Sequence, residues 1–68
     1  MTLTPREQTL IPLLIQGMTD KEIARELGLL DSSVRTYVGT LRKKFGVTNR
    51  TRLALKLIQI KEAANSFS

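Results

Sequence analysis

An all-α fold of four short helices is what this sequence predicts, and three observations predict it. The pattern Thr-x-x-Glu occurs twice, at Thr4–Glu7 and Thr19–Glu22, and each marks a helix N-terminus. Glycines at positions 17, 28 and 46 fall where runs of apolar periodicity stop, as expected of residues that tolerate positive φ. Between these signals the apolar residues recur at helical rather than strand spacing. The 68 residues make one domain. A core of that size supplies only ~3–5 kcal/mol, so a partner subunit or a ligand would add usefully to it.

The first helix opens on Thr4 as N-cap, with Pro5 at the first helical position and Glu7 closing the box. Leu10, Leu13 and Leu14 form its inward stripe, which ends near Gly17. Pro12 removes one backbone hydrogen bond and crowds the carbonyl four residues earlier, so a kink is expected in a helix that survives on its apolar flanks. The second helix starts at Thr19, buries Ile23, Ala24 and Leu27, and stops at Gly28.

The third helix is expected over about 32–45. Val34, Val38, Leu41 and Phe45 stand at offsets 0, 4, 7 and 11, so they point inward together. Leu30 has no side-chain acceptor, which moves the expected cap to Asp31, and Tyr37 is expected at the core's edge. The outer face carries Arg35, Thr36, Thr40, Arg42 and Lys43, with Gly39 in its middle. The fourth helix, 49–61, begins on Asn49 and offers Leu53, Leu57 and Ile60 to the core. Leu55 and Ile58 lie on another side of it. They belong either to a wide buried face or, with Thr51 and Glu62, to a surface that meets a second subunit. Residues 63–68, with the lone Phe67, show no core pattern and are expected to fray, leaving 1–62 as the domain.

Composition narrows the function. There is no cysteine and no histidine, so disulfides and Cys/His metal sites are excluded, and neither a metal nor a cofactor is expected. No window approaches the ~20 apolar residues of a membrane span, and the N-terminus lacks a signal-peptide core, so no membrane role and a cytoplasmic location are expected. An enzyme is not expected. Ser32 and Ser33 have no histidine to activate them, no glycine-rich phosphate loop is present, and the acids at 7, 20, 22, 26 and 31 fit helix N-terminal turns and a solvated face. Nothing in the chain points to a small-molecule ligand. The net charge of +5 divides into −2 for residues 1–31 and +7 for residues 32–68, with seven Lys/Arg and no acid between Arg35 and Lys56. A charge run is usually a solvated face, but a one-sided basic field is also the footprint of a polyanion binder.

The stretch 20–38, DKEIARELGLLDSSVRTYV, sharpens that reading. Two short helices meeting across a brief turn need a small residue at the crossing, a residue tolerant of positive φ in the turn, and a branched apolar anchor on the second helix. Ala24, Gly28 and Val34 supply these in the order Ala-x3-Gly-x5-Val, the spacing of a DNA-binding helix-turn-helix. LTPRE (3–7), QGMTDKEIARELGL (16–29), SSVRTYV (32–38), LRKKFGV (41–47) and NRT (49–51) together resemble the four-helix domain of LuxR-type regulators, also called the NarL/FixJ or GerE type. The resemblance runs from about Leu3 to Ile60. It implies a tetrahelical helix-turn-helix of a bacterial transcription regulator that binds promoter or operator double-stranded DNA, with helix three in the major groove, as a homodimer paired through helix four.

Carried over position by position, the resemblance makes Arg35 and Thr36 base-reading residues, with Gly39 at a third base-reading position. Arginine there suits bidentate contact with guanine. Lys21, Ser32, Ser33, Thr40, Arg42, Lys43, Asn49 and Arg50 become the phosphate-binding set, and Thr51, Leu55, Ile58 and Glu62 the dimer interface. Gly39 departs from the lysine or arginine common in the family. It reads either as drift at a tolerant exposed site or as room for the helix to sit deeper in the groove. Two alternatives stand beside the DNA-binding regulator. One is a helix-turn-helix protein-interaction module that has lost specific DNA binding, in keeping with Gly39 and Asp31. The other is a promoter reader like region 4 of sigma factors, against which the stop at Gly46 and the separate apolar helix after it both weigh. These residues leave no room for the receiver or ligand-sensing domain usual in the family, so the chain is expected to be either an excised C-terminal domain or a stand-alone regulator.

Overall fold

A computed structural model describes residues 2–65. The described residues form four helices and no strand: α1 (Pro5–Ile15), α2 (Asp20–Leu27), α3 (Asp31–Phe45) and α4 (Arg50–Asn65). Both expected capping boxes are made. The Glu7 N–H donates to Thr4 Oγ1 at 3.2 Å while the Thr4 N–H donates to Glu7 Oε1 at 2.8 Å. The same exchange joins Glu22 and Thr19 at 3.2 and 2.9 Å. Each box satisfies donors that a helix start leaves without an intrahelical partner. α1 continues through Pro12 to Ile15.

The core draws on every helix: Leu10 and Leu14 from α1, Ile23 and Ala24 from α2, Val34, Val38 and Leu41 from α3, and Leu53 and Leu57 from α4. α3 packs on both α2 and α4, and α4 also packs on α1. The third helix is therefore held from two sides, with its remaining face turned outward. Leu13, Leu27 and Phe45, expected in the inward stripes, are half-buried at the rim of this core.

Three expectations are corrected. Ile60, expected in the core, is 46% exposed. It borders an open apolar groove of about 270 Å³ lined by Leu3, Ile11, Pro12, Ile15, Phe45, Leu57 and Lys61, so it is covered on one side only. The N-cap of α3 is Leu30, not Asp31; its backbone is extended (φ −79°, ψ 148°), it makes no side-chain cap hydrogen bond, and its side chain is 72% exposed. The backbone turns into the helix there because Val34 N–H reaches Leu30 O at 3.1 Å, whatever side chain position 30 carries. Finally, α4 runs to Asn65, past the end expected at 61. Phe67 lies outside the described residues.

A buried ion pair, unforeseen in the sequence, ties α1 to the end of α3. Glu7 is only 2% exposed, and its Oε1 accepts from Lys44 Nζ at 2.6 Å. Lys44 also donates to Thr2 O at 2.9 Å. The Lys44 ammonium, reinforced by the Thr4 N–H, holds the Glu7 carboxyl below the usual carboxylate range.

Candidate nucleic-acid interface

The outward face of α3 is presented by the turn that precedes it. Gly28 ends α2 in the left-handed region at φ 67°, its N–H bonded to Ala24 O, and the Leu29 N–H closes on the same carbonyl at 2.8 Å. A side chain at that φ would be strained, so glycine is what lets the chain reverse within three residues. Ala24 is buried at the crossing, where its single methyl lets α2 and α3 approach, and Val34 is the buried anchor opposite. All three residues of the helix-turn-helix spacing thus do the work that the spacing predicts.

On the outward side Ser32, Arg35, Thr36, Thr40 and Lys43 are exposed, and Ser33, Gly39 and Arg42 are half-buried. Thr36, Gly39, Thr40, Arg42 and Lys43 come together around an open depression of about 390 Å³, closed on one side by Val47. Gly39 leaves that space vacant. A Cβ built on it would meet only Arg42 Nη2, at 3.8 Å. The hydroxyls beside it are turned back along the helix: Thr36 Oγ1 donates to Ser32 O at 3.0 Å and Thr40 Oγ1 to Thr36 O at 3.1 Å. Arg42 Nη1 donates to Thr48 O at 3.1 Å, pinning the α3–α4 connection beside the depression. Leu30 provides no side-chain cap for the first N–H groups of α3.

Lys21 is exposed in the first turn of α2. Asn49 is exposed too, and its Oδ1 caps α4 by accepting from the Arg52 N–H at 2.8 Å. At the phosphate-binding candidate Arg50, the half-buried guanidinium pairs with the Asp20 carboxylate and donates to Met18 O. Arg50 is thereby committed to holding the start of α4 against the start of α2. On the far side of α4, Thr51, Leu55 and Glu62 are exposed and Ile58 is half-buried, with Leu55 at 54%. Val47 and Arg52 were not singled out from the sequence. Val47 walls the depression, and Arg52 borders a second one of about 230 Å³ with Val47, Leu55, Lys56 and Gln59. Membership of the acid-free basic run is the available signal for Arg52, and for Val47 it is its place at the end of the stretch LRKKFGV.

A short helix seated by a glycine turn, carrying cations and hydroxyls on its free face in a four-helix frame, defines the class of helix-turn-helix DNA-binding domains. Comparison with known proteins narrows the class. Residues 1–57 match the family described as "Bacterial regulatory proteins, luxR family". Spore germination protein GerE of Bacillus subtilis is 37% identical over 60 residues, covering 88% of this chain and 81% of that protein. The DNA-binding transcriptional activator DevR/DosR of Mycobacterium tuberculosis is 38% identical over 61 residues, 90% of this chain but 28% of that protein. The nitrate/nitrite response regulator protein NarL of Escherichia coli is 38% identical over 53 residues, 78% of this chain and 24% of that protein. The chain thus spans roughly a quarter of the length of relatives such as DevR/DosR and NarL, and most of the length of GerE.

The chain belongs to the luxR family of bacterial regulatory proteins and is a DNA-binding transcription-regulator domain of that family. The family is one of DNA-binding regulators rather than a class of enzymes. No helix among the described residues is long and apolar enough to cross a membrane.

Proposed function

We propose that this domain recognises a specific double-stranded promoter or operator sequence by laying α3 in the major groove, and that it does so as a homodimer joined through α4. The observation that carries the reading is the outward face of α3, where the side chains of Arg35 and Lys43 make no ion pair or hydrogen bond among the described residues while the other face is core. Arg35, one turn into the helix, reads a base edge, guanine by preference. Thr36 and Gly39 meet the neighbouring base pairs. Ser32 and Ser33, with the uncapped N–H groups of the first turn, take a phosphate, as helix N-termini do. Lys21, Arg42, Lys43 and the Asn49 amide hold the flanking backbone, whereas the Thr40 hydroxyl is turned back to Thr36 O. Arg50 is left out of this set, since its guanidinium is engaged with Asp20.

Pairing through α4 is supported by the exposed Leu55 beside Ile58, flanked by Thr51 and Glu62, an apolar strip that one copy leaves in water. The test is a binding selection from a random duplex library across a series of salt concentrations, with the bound fraction sequenced. A two-fold enriched motif is the expected result and gives the half-site spacing. Salt-sensitive binding without enrichment would reduce the domain to a backbone binder. Absence of binding at low salt would refute the reading in favour of a protein-interaction module.

A further inference from the structure

From the depression centred on Gly39 we infer that this domain reads thymine at the middle of its half-site, through the base's 5-methyl group rather than through a hydrogen bond. The inference rests on the DNA-reading function proposed above and specifies what its central contact recognises. In many recognition helices a long polar side chain occupies the middle of the exposed face and reads a base by hydrogen bonding. Here that position has no side chain, so the neighbours decide what fits.

The two threonines among them are poor hydrogen-bond donors. The hydroxyl hydrogens of Thr36 and Thr40 are already given to the carbonyls of Ser32 and Thr36, at 3.0 and 3.1 Å. With the oxygens turned back to the helix, the γ-methyls are the apolar surface these side chains offer. The Gly39 backbone forms the floor and Val47 a wall. Arg42 lines the same space, but one nitrogen of its guanidinium is held by Thr48 O. The depression therefore brings the threonine side chains, Val47 and a bare helix backbone together beside the cations of Arg42 and Lys43. In the major groove only thymine presents a methyl group, beside its O4 acceptor, whereas the other base edges there present hydrogen-bonding groups alone. A thymine methyl entering this space buries apolar surface against the threonine methyls, while the O4 beside it stays within reach of water because the depression is open.

Removing one buried methyl changes an equilibrium by about three- to fourfold. The experiment takes the duplex enriched by the wild-type domain and replaces each thymine in turn by deoxyuridine, which deletes the methyl and nothing else. At one thymine per half-site, under the face centred on Gly39, deoxyuridine should weaken wild-type binding by about three- to fourfold. A Thr36→Ser, Thr40→Ser double variant keeps both hydroxyls and loses both methyls. Its affinity for the thymine duplex should fall, and its penalty for deoxyuridine should shrink to less than about twofold. Deoxyuridine tolerated at every position, no thymine in the central half-site, or an undiminished penalty in the double variant would each overturn the methyl-reading inference while leaving sequence-specific binding intact. Loss of the enriched motif itself would instead overturn the underlying reading, and the inference with it.

Discussion

Replacing Gly39 by alanine separates what α3 needs in order to fold from what it needs in order to bind. Gly39 is the ninth residue of a 15-residue helix and does not have a positive φ. Its added Cβ would find one neighbour, Arg42 Nη2 at 3.8 Å, which is ordinary contact with the end of a flexible side chain. Neither backbone geometry nor space therefore requires glycine there. A mid-helix glycine costs about 0.5–1 kcal/mol relative to alanine, because its unfolded backbone has more freedom to lose. For a domain of this size 1 kcal/mol moves Tm by about 4–8 °C, so Gly39→Ala should raise Tm by about 2–8 °C. Against a core worth ~3–5 kcal/mol that is a large fraction of the total. Thermal and urea denaturation followed by helical circular dichroism measures it, with an unchanged urea slope as the sign that only stability moved. An unchanged or lowered Tm would refute the claim that position 39 is an unstrained, open helix site. The same variant should bind its enriched duplex more weakly, since the new methyl rises from the floor of the depression. A gain in both stability and affinity would mark Gly39 as drift at a tolerant site.

The other outcomes concern separate parts of the molecule. Arg35→Ala should lose about 1–3 kcal/mol of discrimination between the enriched and a scrambled duplex, measured as the ratio of the two affinities; an equal loss on both would make Arg35 a phosphate contact. Leu55→Glu should abolish two-fold binding in sedimentation or gel-shift assays while leaving the circular-dichroism spectrum unchanged, because Leu55 is 54% exposed in the single chain. Leu30→Ser, which supplies the missing cap acceptor, should stabilise the domain by about 1 kcal/mol in thermal melts. Glu7 has its carboxyl pKa lowered by Lys44 and Thr4, so its contribution to stability is present above its unfolded pKa and is lost as pH falls through the folded one. The melting temperature should therefore drop on acidification below the ordinary carboxylate range, and Glu7→Gln should be less stable at neutral pH and should remove that part of the acid dependence.

Local signals carried most of the fold. Capping boxes, the glycine at the α2–α3 turn and the 3.6-residue stripes are short-range features, and the buried apolar residues among those described all lie in the stripes that periodicity picks out. Periodicity failed where packing runs out. Ile60 continues the register of Leu53 and Leu57, but the helices beside α4 cover only one side of it. The cap of α3 was misplaced because side-chain chemistry favoured Asp31, whereas the backbone turns at Leu30. The candidate interface was legible as a face, since Arg35, Thr36, Thr40 and Lys43 share one side of a helix whose other side is core. Its cation roster was less so. Lys44 and Arg50 are drawn inward by Glu7 and Asp20, partners 37 and 30 positions away, and no local pattern marks such pairs.

The tie between Arg50 and Asp20 bears on how DNA sites for this domain are spaced. It fastens the first turn of α4 to the first turn of α2, and α2 is seated on α3 across the Gly28 turn. The helix proposed to join two copies and the helix proposed to enter the groove are thus coupled through a stiff frame rather than a hinge. Each base pair added between half-sites shifts the second one by about 3.4 Å and rotates it by about 34° around the duplex axis. A stiff frame cannot follow that screw motion, so such a dimer would act as a caliper with one angular phase. Operators with one extra or one missing base pair would engage a single half-site only, and gene choice would depend on helical phase as much as on base sequence.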